Sequence, residues 1–283
     1  MLKHLMPLVA LSLAASMGAA EPTITAVQVR DNIYMLQGPG GNIGLVIGDD
    51  ATFLIDDKFG ETLPAVLDAV AAITERPVDF VLNTHYHGDH TGGNPALRES
   101  GAWTLAQANV RQRMATDADL APSALPVITY HESMSFFMDG VDVRIQHVAA
   151  AHTDGDSVVY LDGADVIHSG DAMFNHLFPY IDVDGGGGVD GTIHAMEQIL
   201  DAMGPDTIVI PGHGELADRQ DVLTYLMLLR DSRAAVAERL ARGETADQIV
   251  AADLVADYAD WNWAFIDAEK YIRSLVASIE AGR

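Results

Sequence analysis

Thr84-His85-Tyr86-His87-Gly88-Asp89-His90 is the stretch that decides how this chain is read. It follows directly on the apolar run Val78 to Leu82, whose length and bounds predict a buried strand. A turn leaving that strand projects His85 and His87 to one side and lets Asp89 and His90 reach the other. The segment therefore offers ligands to two adjacent cations. Imidazole nitrogen and carboxylate oxygen suit zinc and similar divalent ions.

Three further candidates lie downstream. His152 follows an expected strand over 141 to 148, Asp171 one over 165 to 168, and His213 one over 207 to 210. Each is expected just past a strand end, where loops gather at one rim of a sheet, so a single shared site is the economical explanation.

Working outward, the N-terminal runs Ile24 to Arg30, Ile33 to Gln37, Asn42 to Ile47 and Ala51 to Ile55 read as an antiparallel meander. Gly38 to Gly41 and Gly48 to Asp50 supply its turns. Leu63, Val66, Leu67, Val70 and Ile73 recur at helical spacing within Glu61 to Thr74. Helices are expected near 94 to 99 and 106 to 116, then an irregular stretch from Pro122 to Ser135. A strand at Ser157 to Leu161 and helices near 190 to 203, 216 to 242 and 264 to 281 complete the pattern. Strand-rich and helical segments thus alternate in two successive halves, with no short repeat and no long linker.

Composition narrows the chemistry. Cysteine is absent, which excludes disulfides, thiolate nucleophiles and iron-sulfur clusters and leaves histidine and carboxylate as the metal ligands. With 49% hydrophobic residues the chain can build a large core without disulfides. A formal charge of -25 repels polyanions and argues against nucleic acid or an anionic membrane surface as partner. Residues 1–20 run from Lys3 through an apolar stretch to small residues, the layout of a signal peptide cut after Ala20. The alternative, a membrane anchor, needs an apolar run of about 20 residues, longer than Leu5 to Ala20 provides. The expectation is a periplasmic or secreted protein, residues 21–283 forming a single catalytic domain with no stable membrane association after signal removal.

The ordered set His85, His87, Asp89, His90, His152, Asp171 and His213 resembles the full dinuclear ligand set of the metallo-β-lactamase superfamily, over nearly the whole chain from Ile24. The resemblance implies an α+β fold, the αββα sandwich: two mixed β-sheets face to face with helices outside. It assigns one metal to His85, His87 and His152, the other to Asp89, His90 and His213, and the bridge to Asp171. Asp56 matches the superfamily's early aspartate, which supports the ligands from behind. Many β-lactamases of the superfamily place a cysteine on the second metal, and this chain has none. A bridging aspartate is typical of glyoxalase II-like thioesterases and lactonases, and His87 stands where oxygen-reducing relatives carry glutamate. The implied activity is hydrolysis of a small carbonyl substrate (β-lactam-like, lactone or thioester) by a hydroxide bridging two divalent ions, zinc above all. Such ions bring the pKa of bound water down towards about 7. Asp89 would orient that hydroxide and relay a proton to the leaving group.

Two rival functions share these residues: a phosphodiesterase, disfavoured by the charge, and a non-catalytic metal-binding scaffold, disfavoured by a complete ligand set. Among residues outside the motif, His168 reads as a core histidine and His176 as a weak substrate contact. Phe136, Phe137, Met138, Trp261, Trp263 and Phe265 read as packing. Oligomeric state has no sequence signal here.

Overall fold

The computed structural model describes residues 22–283, so the expected leader lies outside the described residues. The meander forms as expected: β1 (Thr25–Arg30), β2 (Ile33–Gln37), β3 (Ile43–Ile47) and β4 (Thr52–Ile55) pair antiparallel in sequence order. Then α1 (Leu63–Ala71) crosses over and returns the chain to β5 (Phe80–Asn83), which pairs parallel to β4. A parallel neighbour requires such a crossover. The short helices α2 (Gly88–Thr91) and α3 (Asn94–Glu99) lead to β6 (Trp103–Gln107), and α4 (Ala108–Met114) leads to β7 (Ile128–Tyr130). Both strands add parallel, closing a seven-stranded mixed sheet.

The second sheet has five strands. Strands β8 (Ser133–Met138), β9 (Val141–His147), β10 (Ser157–Asp162) and β11 (Val166–Phe174) are joined antiparallel. Helix α5 (Val189–Ala202) then carries the chain to β12 (Ile208–His213), parallel to β11. The C-terminal helices are α6 (Arg219–Ala241), α7 (Ala246–Val250) and α8 (Ala268–Glu280). Asp218 caps α6 by accepting from the Gln220 and Asp221 backbone N–H groups, and the Asp221 carboxylate accepts from Asp218 N in return.

Period-two alternation sorts the side chains into layers. Phe53 and Ile55 of β4 join Met35, Val46, Leu82 and Leu105 in the core between the sheets, against Val143, Ile145, Val159 and Ile210 of the second sheet. Leu54, between them in sequence, faces the other way and packs with Val81 under Leu63, Val66 and Val70 of α1. On the outer face of the second sheet, Val158, Tyr160, Ile167 and Val209 meet Met196 and Ile199 of α5, Tyr225 and Leu229 of α6, and Tyr271 and Leu275 of α8. The order of layers is helix, sheet, sheet, helix, the α+β sandwich expected. Burial on both faces explains why β4 is apolar at three of its four positions, Phe53 to Ile55.

Several local expectations were incomplete. The stretch expected to be irregular contains β7 and the start of β8, and the segment before α4 is the strand β6 rather than the start of a helix. In β8 the inward positions Met134, Phe136 and Met138 alternate with Ser133, Ser135 and Phe137, and the outward aromatic hides the pattern. Phe136 packs on Phe53 at 5.1 Å between ring centroids, while Phe137 is 81% exposed, so of the three residues Phe136, Phe137 and Met138 the core reading fails for Phe137. Strands β11 and β12 run on through Asp171 and His213, which therefore lie within strands rather than beyond them. Their pairing shifts register on either side of Gly170, whose φ of +50° gives the strand the irregularity that turns Asp171 inward.

Candidate metal centre

The described residues bring all the candidate ligands to one end of the two sheets. Four donor groups, on His85, His87, His152 and Asp171, lie within 4.8 Å of one another, and a second group of the same spread unites Asp89, His90 and His213. His87 Nδ1 stands 3.0 Å from His85 Nε2 and 2.9 Å from His152 Nε2. Asp171 Oδ2 is 3.7 Å from His85 Nε2 and 3.5 Å from His152 Nε2. For zinc-nitrogen bonds of about 2.0–2.1 Å, a tetrahedron has edges of about 3.3–3.4 Å, so this spacing is that of donors around one small cation. In the second group Asp89 Oδ2 lies 3.6 Å from His90 Nε2 and 3.4 Å from His213 Nε2. Asp171 reaches this group as well, Oδ1 at 3.2 Å from His90 Nε2 and Oδ2 at 3.5 Å from His213 Nε2.

Two of these atoms test the fit directly. His90 Nε2 and Asp171 Oδ1 are buried and have no hydrogen-bond partner, although they are neighbours. Buried polar atoms left unpaired cost about 1–3 kcal/mol each, so a pair aimed at common space calls for a third group between them. A divalent cation satisfies both, and the nitrogen and carboxylate donors suit one.

On His85, His87, His90 and His152 the ring nitrogen turned away from the centre is anchored, which fixes the orientation of those imidazoles. His85 Nδ1 lies 3.1 Å from Thr84 Oγ1, His87 Nε2 3.0 Å from Asp182 Oδ2, and His152 Nδ1 2.6 Å from the Tyr180 carbonyl. His90 Nδ1 lies 2.7 Å from Asp56 Oδ2, and Asp56 also accepts from Thr84 N and Thr84 Oγ1. Asp56 ends β4 in the left-handed region at φ +67°, a conformation aspartate tolerates and one that turns its carboxylate under the histidine turn. His213 stacks on Phe174 with ring planes 6° apart.

Charge at the centre is poised for cations. Burial alone would raise Asp89, but His90 and His213 hold it down at about 2. Burial opposes a charge on His213, yet Asp171 and Asp89 raise it to about 9. His85 and His152 are driven the other way by burial, His152 to about 4, so they present free lone pairs. The carboxylates thus draw positive charge to His90 and His213, while His85 and His152 stay neutral.

Asp89, Asp171, His87 and His213 open onto a cleft of about 510 Å³, lined further by Gly40, Phe59, Phe174, Tyr180, Trp263 and Phe265. The hairpin tip at Gly38 to Gly41 overhangs it. Gly41 N donates to the Asp89 carbonyl, and a Cβ on Gly41 would fall 2.1 Å from the His90 ring, so only glycine fits that approach. Beneath the tip, fully buried Lys58 donates to the carbonyls of Gly38 and Gly41.

The structure separates the remaining sequence expectations. His168 is buried, its Nε2 beside the Asn42 carbonyl and its Nδ1 accepting from Gly170 N, a core histidine as read. His176 is not among the residues lining the cleft; its Nε2 meets Asp221 Oδ1 at 3.0 Å and its ring packs on Trp261. Trp261 packs as expected, but Trp263 and Phe265 line the cleft, which corrects their reading as packing alone. Asp182 and Lys58 went unnoticed in the sequence. The cluster of aromatics at 261 to 265 was the one available hint of the cleft wall.

A family model described as the metallo-beta-lactamase superfamily matches residues 36–213, and the chain belongs to that superfamily. A beta-lactamase-like protein 2 homolog from Drosophila melanogaster is 25% identical over 187 residues, 61% of this chain and 58% of that protein. The hydroxyacylglutathione hydrolase of Acidiphilium cryptum (strain JF-5) is 29% identical over 198 residues, 68% of each chain. The chain thus spans between 58% and 68% of the length of these two curated relatives. A metallo-beta-lactamase from Pontibacter korlensis superposes with a TM-score of 0.66 at 17% identity, covering 74% of this chain and 100% of its own. The family match and the hydrolase relative support a metal-dependent hydrolase, and the superposition shows the shared fold.

Proposed function

We propose that the protein is an exported hydrolase with two zinc ions that opens or cleaves a small carbonyl substrate: a β-lactam-like ring, a lactone or a thioester. The observation that carries this reading is the position of Asp171, whose Oδ1 approaches His90 while its Oδ2 approaches His85, His152 and His213. One carboxylate therefore belongs to both donor groups. In this reading His85, His87 and His152 hold one cation, Asp89, His90 and His213 hold the other, and Asp171 lies between. When bound, the pair supplies a water acidic enough to react near neutral pH and a Lewis acid for the carbonyl oxygen. The chain's own residues do the rest. Asp56, Thr84, Asp182 and the Tyr180 carbonyl keep the imidazoles aimed. Asp89, ionised and lining the cleft, would accept a hydrogen bond from such a water and orient it towards the substrate carbonyl. The aromatic walls offer an apolar surface to the substrate beside the donor groups. Export is proposed from the leader-like residues 1–20.

The test is turnover by the zinc-loaded chain lacking residues 1–20. The substrates are nitrocefin, an acyl-homoserine lactone, thioesters and a phosphodiester. Carbonyl turnover is expected, lost together with metal content in a His85→Ala/His87→Ala double variant. Full activity in that variant once depleted of metal, or turnover of the phosphodiester alone, would overturn the proposal.

A further inference from the structure

Away from the donor groups the cleft wall is aromatic and carries no lysine or arginine. From the metal centre outward, His213 lies 5.3 Å from Trp263 between ring centroids, Trp263 lies 5.7 Å from Phe265, and Phe265 lies 5.2 Å from Tyr180. Phe174 closes the floor at 6.0 Å from Trp263, and Phe59 stands among the lining residues beside Gly40. The wall is held rigidly: Trp263 Nε1 donates to the Phe178 carbonyl and Trp263 N to the Ile266 carbonyl.

Apart from the donor-group histidines His87 and His213, the only side chains charged near neutral pH among the lining residues are the carboxylates Asp89 and Asp171, with no lysine or arginine. Cations on the surrounding segments are engaged elsewhere. Lys58 is buried against the Gly38 and Gly41 carbonyls, Arg113 is bidentate on Asp154, and Lys270 donates to the Phe265 carbonyl outside the lining. A substrate carboxylate placed against this wall would lose its water and gain no partner, a penalty of several kcal/mol for a fully desolvated ion. An apolar or aromatic group in the same place gains area burial and ring contacts instead.

Resting on the hydrolase reading above, we propose that the cleft selects uncharged substrates carrying an apolar, preferentially aromatic group, with Phe59, Trp263 and Phe265 setting the preference. A carboxylate near the scissile bond, as in β-lactam antibiotics and glutathione conjugates, is disfavoured. The substrate class is thus a neutral lactone, ester or thioester with a hydrocarbon arm.

The experiment uses a matched pair, the phenylacetyl thioester of mercaptopropionate and that of its methyl ester, together with p-nitrophenyl acetate, butyrate and hexanoate. With zinc-loaded protein, kcat/KM should favour the methyl ester over the free acid by about 100-fold or more, and rise about three- to fourfold per added methylene. Phe265→Arg, a cation at the rim, should raise kcat/KM for the acid about tenfold and not for its methyl ester, and Phe265→Ala should flatten the chain-length series. Equal rates for acid and ester, or no chain-length dependence, overturn the selectivity while leaving hydrolysis standing. Absence of turnover across every carbonyl compound, the acetate included, overturns the hydrolase reading instead. In that event, ligand-observed NMR of a phenylbutanone and its ring carboxylate still decides the selectivity. Preferential binding of the neutral ketone supports it, and equal or reversed binding refutes it.

Discussion

Replacing Asp56 by alanine removes an acceptor that serves three donors at once in fully buried surroundings. Its oxygens lie 2.7 Å from Thr84 N, 2.8 Å from Thr84 Oγ1 and 2.7 Å from His90 Nδ1. The Thr84 hydroxyl retains His85 Nδ1 at 3.1 Å as an alternative partner, so two donors, Thr84 N–H and His90 Nδ1–H, lose theirs. At about 1–3 kcal/mol for each buried donor left unpaired, Asp56→Ala should destabilise the metal-free protein by about 2–6 kcal/mol. Asp56→Asn keeps one acceptor oxygen and should cost about half as much. Freeing the His90 ring also weakens the second cation position, by the 10–100-fold typical when an orienting partner of a ligating histidine is removed. Urea unfolding of metal-free protein by linear extrapolation measures the first effect, and a chelator-competition titration measures the second. The reasoning fails if Asp56→Ala costs less than about 0.5 kcal/mol and leaves both zinc affinities unchanged.

Gly41→Ala would place a methyl 2.1 Å from His90 Cε1 and 2.3 Å from Nε2, so its bound zinc should fall from two equivalents towards one by elemental analysis; an unaltered stoichiometry contradicts the close approach. Asp182→Ala removes the shared acceptor of Tyr86 OH and His87 Nε2 and should weaken the first cation position about 10–100-fold in competition titrations, with the second position unaffected. Lys58 is depressed by burial from 10.5 to about 8, against the pull of Asp89 and Asp56. A depressed lysine contributes stability that is present above its unfolded pKa and lost as pH falls through the folded one. Urea midpoints of wild type relative to Lys58→Met should therefore shift in favour of wild type between pH 8 and 10.5, and a difference independent of pH refutes this.

The histidine turn was legible because its donors are neighbours in the chain. Once the strand before it is recognised, local geometry alone gathers His85, His87, Asp89 and His90. The meander and the crossover helix α1 were legible for a similar reason, since hydrophobic period is a property of short windows. Strands β7 and β8 were not, because an edge strand with an outward Phe137 breaks the alternation that marks a buried one. The extension of β11 and β12 through Asp171 and His213 was hidden too: a register shift at Gly170 depends on the partner strand, which a window cannot contain.

The same distinction divides the site. Sequence by itself determined which residues are candidate ligands, the absence of thiolate and the acidic character of the chain, all of which follow from residue chemistry and spacing. Only the tertiary structure decided what surrounds them. Asp182 meets His87 across 95 positions and Lys58 reaches back under the Gly38 to Gly41 tip, while Trp263 and Phe265 arrive from the C-terminal segment to wall the cleft. Those contacts are made by elements that pack together for the sake of their apolar faces, so no local pattern announces which polar or aromatic side chains they bring to the cations.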